Sequence, residues 1–275
     1  MSKLCFIGAG NMARSLIGGL LADGWSPGDL CVADPDAAQR DQIRQQWPAI
    51  PTYEDNGEAV AAADVVLLAV KPQILQSVAR ALVPALKEKD KLVISIAAGI
   101  TTPDLDRWLG DGQAIARAMP NTPALVRSGA TGLFANTRLS PPQRDLAETI
   151  LRAVGLIVWF EDEEQLDAVT ALSGSGPAYF FLVMEALQAA GEELGLTSEQ
   201  ARLLTVETAL GAARLALESE ETPADLRARV TSKGGTTERA IGILEEGGLR
   251  ELMARAVQAA AIRSRELAEQ LGVDA

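Results

Sequence analysis

The segment Gly8-Ala9-Gly10-Asn11-Met12-Ala13 has the spacing of a G-x-G-x-x-[GA] turn, which brings backbone N–H groups against phosphate oxygens. Gly8 permits the tight turn, Gly10 lets a pyrophosphate approach the main chain, and Ala13 is small enough for helix and strand to pack closely. Asn11 and Met12 fall at a helix start, where free N–H groups point at the phosphates. The context agrees: the apolar run Leu4–Ile7 precedes the motif, an amphipathic stretch follows, and a second apolar run ends at Asp34, 24 residues beyond Gly10. The chemistry this spacing implies is dinucleotide binding. Asp34 either accepts hydrogen bonds from the adenosine ribose hydroxyls, which favours NAD, or forms the turn before Pro35. Arg40, six residues on, is the nearest candidate cation for a 2′-phosphate, although an exposed helix arginine is the plainer reading. The choice between NADH and NADPH stays open.

A second loop, Ala69-Val70-Lys71-Pro72-Gln73, ends the strongest apolar run of this half. The carboxyl ends of strands line the ligand crevice of an open parallel sheet, so these residues are expected near the nicotinamide half of the cofactor. Lys71 there meets phosphate or substrate, or is simply solvated. Two more glycine-rich segments stand directly before helical stretches. Ser173-Gly174-Ser175-Gly176-Pro177-Ala178 puts Pro177 at the first helical position and Ser175 or Gly176 at the N-cap, leaving N–H groups and hydroxyls at a positive helix end. Val230-Thr231-Ser232-Lys233-Gly234-Gly235-Thr236-Thr237 sets consecutive glycines and hydroxyls at another helix start, a nest that suits a carboxylate. Either alone is ordinary capping; together they exceed what capping needs.

The chain contains no histidine, which removes the commonest general base and the commonest metal ligand at once. Its two cysteines, Cys5 and Cys31, lie inside short apolar runs and read as reduced core thiols, so no metal site is expected. With 37 acidic against 25 basic residues the formal charge is −12, which disfavours nucleic acid and anionic membrane as partners. No signal segment or membrane-spanning run is legible, and the cytoplasm is the expected location.

The elements that must position these residues follow from periodicity. Short apolar runs at 4–7, 30–33, 65–70, 92–97, 114–118 and 156–160 alternate with amphipathic stretches, the rhythm of a parallel sheet with crossover helices. Residues 119–134 read as loop leading to a short strand at 132–135. Beyond Phe160 the texture turns helical, with helices expected at 163–172, 177–194, 198–218, 222–230, 236–246 and 248–270. The boundary falls near Asp162, dividing the chain into 1–162 and 163–275. Ala178 to Met184 is apolar all round, and so small a helical domain cannot cover it; a partner subunit is the expected cover.

Five segments together resemble the pyrroline-5-carboxylate reductase family: FIGAGNMA at 6–13, AVKPQ at 69–73, MPNTP at 119–123, SGSGPAY at 173–179 and TSKGGTT at 231–237. The likeness spans essentially the whole chain, and the last two segments are the most specific. It implies an α/β fold, with an N-terminal Rossmann-type mostly parallel sheet and an all-α C-terminal dimerisation domain. It also implies reduction of Δ1-pyrroline-5-carboxylate to L-proline by hydride from NADPH or NADH, the final step of proline synthesis. Carried over, Ser175, Gly176 and Pro177 lie against nicotinamide and substrate ring, and Asn121 of the MPNTP loop belongs to the cofactor site. Ser232, Gly234, Gly235, Thr236 and Thr237 hold the substrate carboxylate, and the Thr237 hydroxyl bonds the ring nitrogen or relays its proton. Family members interlock their helices as homodimers, which can assemble further into decamers.

Two rivals share the cradle. A β-hydroxyacid dehydrogenase of the same two-domain plan uses a lysine as acid/base, and this chain has no lysine between Lys91 and Lys233. A non-catalytic dinucleotide sensor has no need of a second glycine-rich site.

Overall fold

The short apolar runs are the main strands of one eight-stranded sheet in a computed structural model of the chain, which describes residues 2–86 and 90–272. The strands are β1 (Leu4–Ile7), β2 (Leu30–Ala33), β3 (Thr52–Tyr53), β4 (Val65–Leu68), β5 (Leu92–Ser95), β6 (Ala114–Met119), β7 (Gly129–Ala135) and β8 (Gly155–Phe160). Their order is β3-β2-β1-β4-β5-β6-β7-β8. Neighbours run parallel except β6 and β7, which are antiparallel and register Ala116 opposite Ala135. The two-residue β3 is too short to leave a periodic signal, and β7 starts three residues before the expected strand.

Alternation along β1 feeds two cores. Leu4 and Phe6 face α1 (Asn11–Ala22), α2 (Ala37–Gln46) and α6 (Pro141–Arg152), while Cys5 and Ile7 face α3 (Asn56–Ala61), α4 (Pro72–Leu86) and α5 (Thr102–Trp108). All four side chains are fully buried, as a strand covered on both faces requires. Each large apolar side chain so buried contributes about 1.5–3 kcal/mol.

Cys5 and Cys31 are in-register neighbours on β1 and β2, and both are free thiols. Cys31 is half-buried and packs at the margin of the second core. The hydrogen bond between the two pushes Cys5 well above the usual thiol range, with burial adding to the rise, and draws Cys31 below it.

Two buried cations are tied down structurally. Lys91 donates to the carbonyls of Val60 at 3.1 Å and Ala63 at 2.6 Å, capping the C-terminal end of α3. Arg117 pairs with Glu163 at 2.8 Å, and Glu163 also accepts the Thr102 amide and hydroxyl, each at 2.7 Å.

Residues 2–175 with 259–272 form one compact unit, and residues 176–258 a second. The first unit runs past Asp162 because α7 (Gln165–Val169) packs on β7: a Cβ at Gly132 would lie 2.8 Å from Val169 Cγ1. The end of α12 (Leu249–Gly272) returns to this unit, where Ser264 donates to Asp167 at 2.6 Å.

The second unit holds α8 (Gly176–Glu193), α9 (Ser198–Glu218), α10 (Pro223–Arg229), α11 (Thr236–Glu246) and the start of α12. Among its described residues only Gly176 and Ala201 are buried. Phe180, Phe181 and Leu182 on α8 are 68%, 63% and 66% exposed, the apolar surface anticipated for that helix.

Candidate active site

The cradle forms where the strand order reverses, between β1 and β4. Gly8 has φ +101°, and a Cβ there would lie 2.7 Å from the Ala69 carbonyl oxygen, so only glycine lets the turn pass the end of β4. At Gly10 a Cβ would meet nothing within 4 Å, which is open space beside the main chain. Gly10 is the N-cap of α1 and supplies no side-chain cap, so the first-turn amides of Asn11 and Met12 remain for an anion. These residues fit a dinucleotide pyrophosphate.

The carboxylate of the cradle, at the end of β2, is tied into its turns. Asp34 Oδ2 accepts the Ala9 amide at 2.9 Å and Oδ1 accepts the Asp36 amide at 2.9 Å, so the side chain pins the glycine turn to the end of β2. The turn-forming reading of Asp34 is therefore realised, and its charge stays fixed at the mouth of the cradle.

Arg40 is neither exposed nor offered to a phosphate. It is 9% exposed, donates to the carbonyls of Asp34 at 2.7 Å and Pro35 at 2.9 Å, and pairs with Glu54 at 3.3 Å. A packed guanidinium satisfies main-chain oxygens that the β2–α2 turn leaves orphaned. The cation beside the glycine turn is instead Arg14, which donates to the Ala9 carbonyl at 2.9 Å. Its sequence signal is slight, a basic residue one helical turn beyond Gly10.

Ala69 donates its amide to Ile7 at 2.8 Å, which fixes the end of β4 beside β1. Val70 is half-buried, Lys71 is exposed, and Pro72 opens α4 at the expected place. The Lys71 ammonium meets no acceptor among the described residues.

Asn121, expected on the cofactor, has its amide consumed within the protein. Nδ2 donates to the Ser173 carbonyl at 3.1 Å and Oδ1 accepts the Ala130 amide at 2.9 Å. It is 9% exposed and joins the MPNTP loop to the SGSG segment. A Cβ at Gly174 would lie 2.6 Å from Met119 Cε, so the two motifs also pack directly.

Ser173 to Ser175 do not form a capped helix start. Thr170–Gly174 is a π turn, and Ser175, with φ −83° and ψ −20°, donates its amide to the Thr170 carbonyl at 2.8 Å. The hydroxyls of Thr170 and Ser173 bond carbonyls four residues back, at 2.7 Å and 3.1 Å, and this competition opens the helical ladder. The Ser175 amide is thus spent inside the π turn, while its half-buried hydroxyl meets no acceptor among the described residues. Gly176 and Pro177 begin α8.

In the second unit α11 begins at Thr236, as the TSKGGTT segment foretold. Gly234 has φ +74°, and a Cβ at Gly235 would lie 2.6 Å from Ser232 Oγ. The two glycines therefore serve separate needs, a left-handed turn and a close approach. The Gly235 amide is spent on the Ser232 carbonyl at 3.0 Å. The Gly234 amide holds a carboxylate, that of Glu238, at 2.7 Å. Glu238 escaped sequence reasoning, although Glu three residues into a helix commonly reaches back to the cap. Thr236 and Thr237 are exposed at the open end of α11, and neither hydroxyl meets an acceptor among the described residues.

Among the described residues no group of three or more His, Cys, Asp or Glu side chains is arranged to hold a metal ion. No described helix is long and apolar enough to cross a membrane.

Comparison with known proteins agrees with this arrangement. Residues 163–267 match a family model described as pyrroline-5-carboxylate reductase dimerisation, and residues 3–99 match one described as NADP oxidoreductase coenzyme F420-dependent. The pyrroline-5-carboxylate reductase of Pseudomonas aeruginosa is 55% identical over 270 residues, which covers 98% of each chain. The structure of a pyrroline-5-carboxylate reductase from Coxiella burnetii superposes with a TM-score of 0.92 at 52% identity, over 97% of this chain and 98% of that one. That of the Plasmodium falciparum pyrroline carboxylate reductase with NADP bound gives 0.86 at 29% identity, over 97% and 98%. A chain alike in sequence through its whole length, with the cradle and the glycine nest both in place, belongs to the pyrroline-5-carboxylate reductase family.

Proposed function

We propose that the chain reduces Δ1-pyrroline-5-carboxylate to L-proline with hydride from NADH or NADPH, working as a homodimer. The observation that carries this reading is the Gly234 amide already holding a carboxylate, which is the group an imino acid presents. In this reading Gly8, Gly10, Asn11 and Met12 hold the pyrophosphate, and Ala69, Val70, Lys71 and Pro72 border the nicotinamide half. Asn121 positions the Ser173 main chain rather than touching the cofactor. Ser175, Gly176 and Pro177 line the reacting ring. Ser232, Gly234, Gly235, Thr236 and Thr237 receive the substrate carboxylate, which displaces Glu238 from the Gly234 amide.

The bound dinucleotide supplies a hydride from its reduced nicotinamide ring. The substrate imine is basic enough to enter protonated, so hydride addition to the iminium carbon yields the secondary amine with no strong acid. A chain without histidine, and without lysine between Lys91 and Lys233, suits that chemistry. The protein's work is orientation, exclusion of water and a fixed electrostatic field. The Thr237 hydroxyl hydrogen-bonds the ring nitrogen and holds or relays its proton.

Exposed Phe180, Phe181 and Leu182 support a second copy as cover for the helical unit. The homodimer is the minimal assembly, and a decamer of five dimers is the higher one. Neighbouring thiols that remain free suit a reducing compartment, the cytoplasm.

The test is a dialysed sample given pyrroline-5-carboxylate and NADH or NADPH, with oxidation followed at the nicotinamide absorbance. Turnover is expected with the imine and little with 2-hydroxy acids and oxidised cofactor. Comparable activity on a hydroxy acid would overturn the imine reading, and cofactor binding without any turnover would favour a sensor.

A further inference from the structure

We propose that Arg14 is the cation that receives the adenosine 2′-phosphate of NADPH and so sets this chain's coenzyme choice in opposition to Asp34. The proposal rests on the dinucleotide reading of the Gly8 to Ala13 turn.

Arg14 lies one turn into α1 and reaches across to α2. Its Nη1 donates to the Ala9 carbonyl at 2.9 Å, Gln39 Oε1 at 2.9 Å and Gln42 Oε1 at 2.6 Å, and its Nη2 donates to Asn11 Oδ1 at 2.5 Å. All four acceptors are neutral. They fix the guanidinium in place without cancelling its charge, and among the described residues no carboxylate pairs with it. Its neighbours differ in this respect: Arg40 pairs with Glu54, Arg44 with Asp41, and Arg127 with Asp23.

A guanidinium has five N–H donors in a planar fork. The three Nη1 contacts share two hydrogens, so the Nε hydrogen and one on Nη2 are left without an acceptor, two donors in the geometry that phosphate oxygens accept. The span of the side chain matters as much as its charge. It joins the glycine turn, through Ala9 and Asn11, to the first two turns of α2, through Gln39 and Gln42. An adenosine ribose lies between those two elements in a dinucleotide fold, at the end of β2.

Acidic groups on the same turn work the other way. Asp34 is locked by the Ala9 and Asp36 amides and cannot swing aside, and Asp36 is held as the cap of α2 by the Ala38 amide at 2.8 Å. A 2′-phosphate is repelled by these two carboxylates and drawn by Arg14, whereas the free ribose hydroxyls of NADH meet Asp34 without that conflict. In this opposition Asp34 favours NADH and Arg14 favours NADPH, and the balance between them sets the coenzyme choice.

The full-length protein is titrated calorimetrically with adenosine 2′,5′-bisphosphate and with 5′-AMP, which differ by the 2′-phosphate. The wild type is expected to bind the bisphosphate more tightly, and Arg14→Gln to lose at least tenfold more affinity for the bisphosphate than for 5′-AMP. Arg14→Lys, which keeps the charge and loses the fork, serves if the glutamine variant does not fold, with a smaller differential loss. Equal loss on both ligands assigns Arg14 to the 5′-phosphate or to the turn itself and overturns the proposal. So does an unchanged variant, or a wild type that gains nothing from the 2′-phosphate. Failure of the reductase reading would show separately, as absence of pyrroline-5-carboxylate turnover while this binding difference persists.

Discussion

Asn121 donates its side-chain amide to the carbonyl of Ser173 at 3.1 Å, across 52 residues of sequence, and so binds the loop after β6 to the π turn before α8. Its other amide atom takes the Ala130 amide at 2.9 Å. Asn121→Ala leaves a partly buried carbonyl and a partly buried N–H without partners, at a cost of about 1–3 kcal/mol. The expected result is a lower melting temperature together with a fall in turnover as Ser175 loses its support. Unchanged melting with weakened coenzyme binding would instead make Asn121 a direct cofactor ligand.

The Asp34 carboxylate carries both a structural bond and a charge, and Asp34→Asn separates them. Asparagine keeps one acceptor for the Ala9 amide and removes the repulsion of a 2′-phosphate. The ratio of kcat/KM for NADPH to that for NADH is expected to rise about tenfold, equivalent to about 1.4 kcal/mol. An equal loss with both coenzymes, measured side by side, would assign Asp34 to the turn alone.

Thr237 offers an exposed hydroxyl at the second position of α11, beside the Gly234 nest. Thr237→Ala is expected to reduce turnover or raise the KM for pyrroline-5-carboxylate while NAD(P)H affinity stays nearly constant. A lost hydrogen bond to a charged group is worth about 1.5–3 kcal/mol, or about one to two decades in rate. Thr237→Ser restores most of the activity if the hydroxyl is what matters. Wild-type kinetics in the alanine variant would reduce Thr237 to a helix-start residue.

The helical unit keeps only Gly176 and Ala201 buried among its described residues, which is too little core for a stable free-standing body. Activity and molecular mass measured on one dilution series are therefore expected to fall together. A fully active monomer would refute the dimer as the minimal unit. The same masses distinguish a dimer from a decamer.

Local spacing was enough to place the glycine turns at Gly8 and Gly234, because a tight turn or a left-handed residue is a property of a few consecutive residues. Gly8 is required where the chain passes the Ala69 carbonyl, Gly234 where φ is +74°, and α11 starts at Thr236 as the hydroxyls and glycines before it imply. The alternation of apolar runs likewise located six of the eight strands, and the turn residues before 132–135 a seventh, since strands packed in a covered sheet demand short unbroken apolar stretches. Only the tertiary structure decided which polar side chains are spent and which remain available. Arg40 and Arg14 look alike in sequence, yet one is packed against main-chain carbonyls and Glu54 while the other is held by neutral oxygens beside the turn. The bond from Asn121 to Ser173, and the π turn that Thr170 and Ser173 open before α8, become visible only once distant segments are packed together. A side chain's hydrogen-bond partner is chosen by packing between segments far apart in the chain, and that choice leaves no periodic trace in the residues themselves.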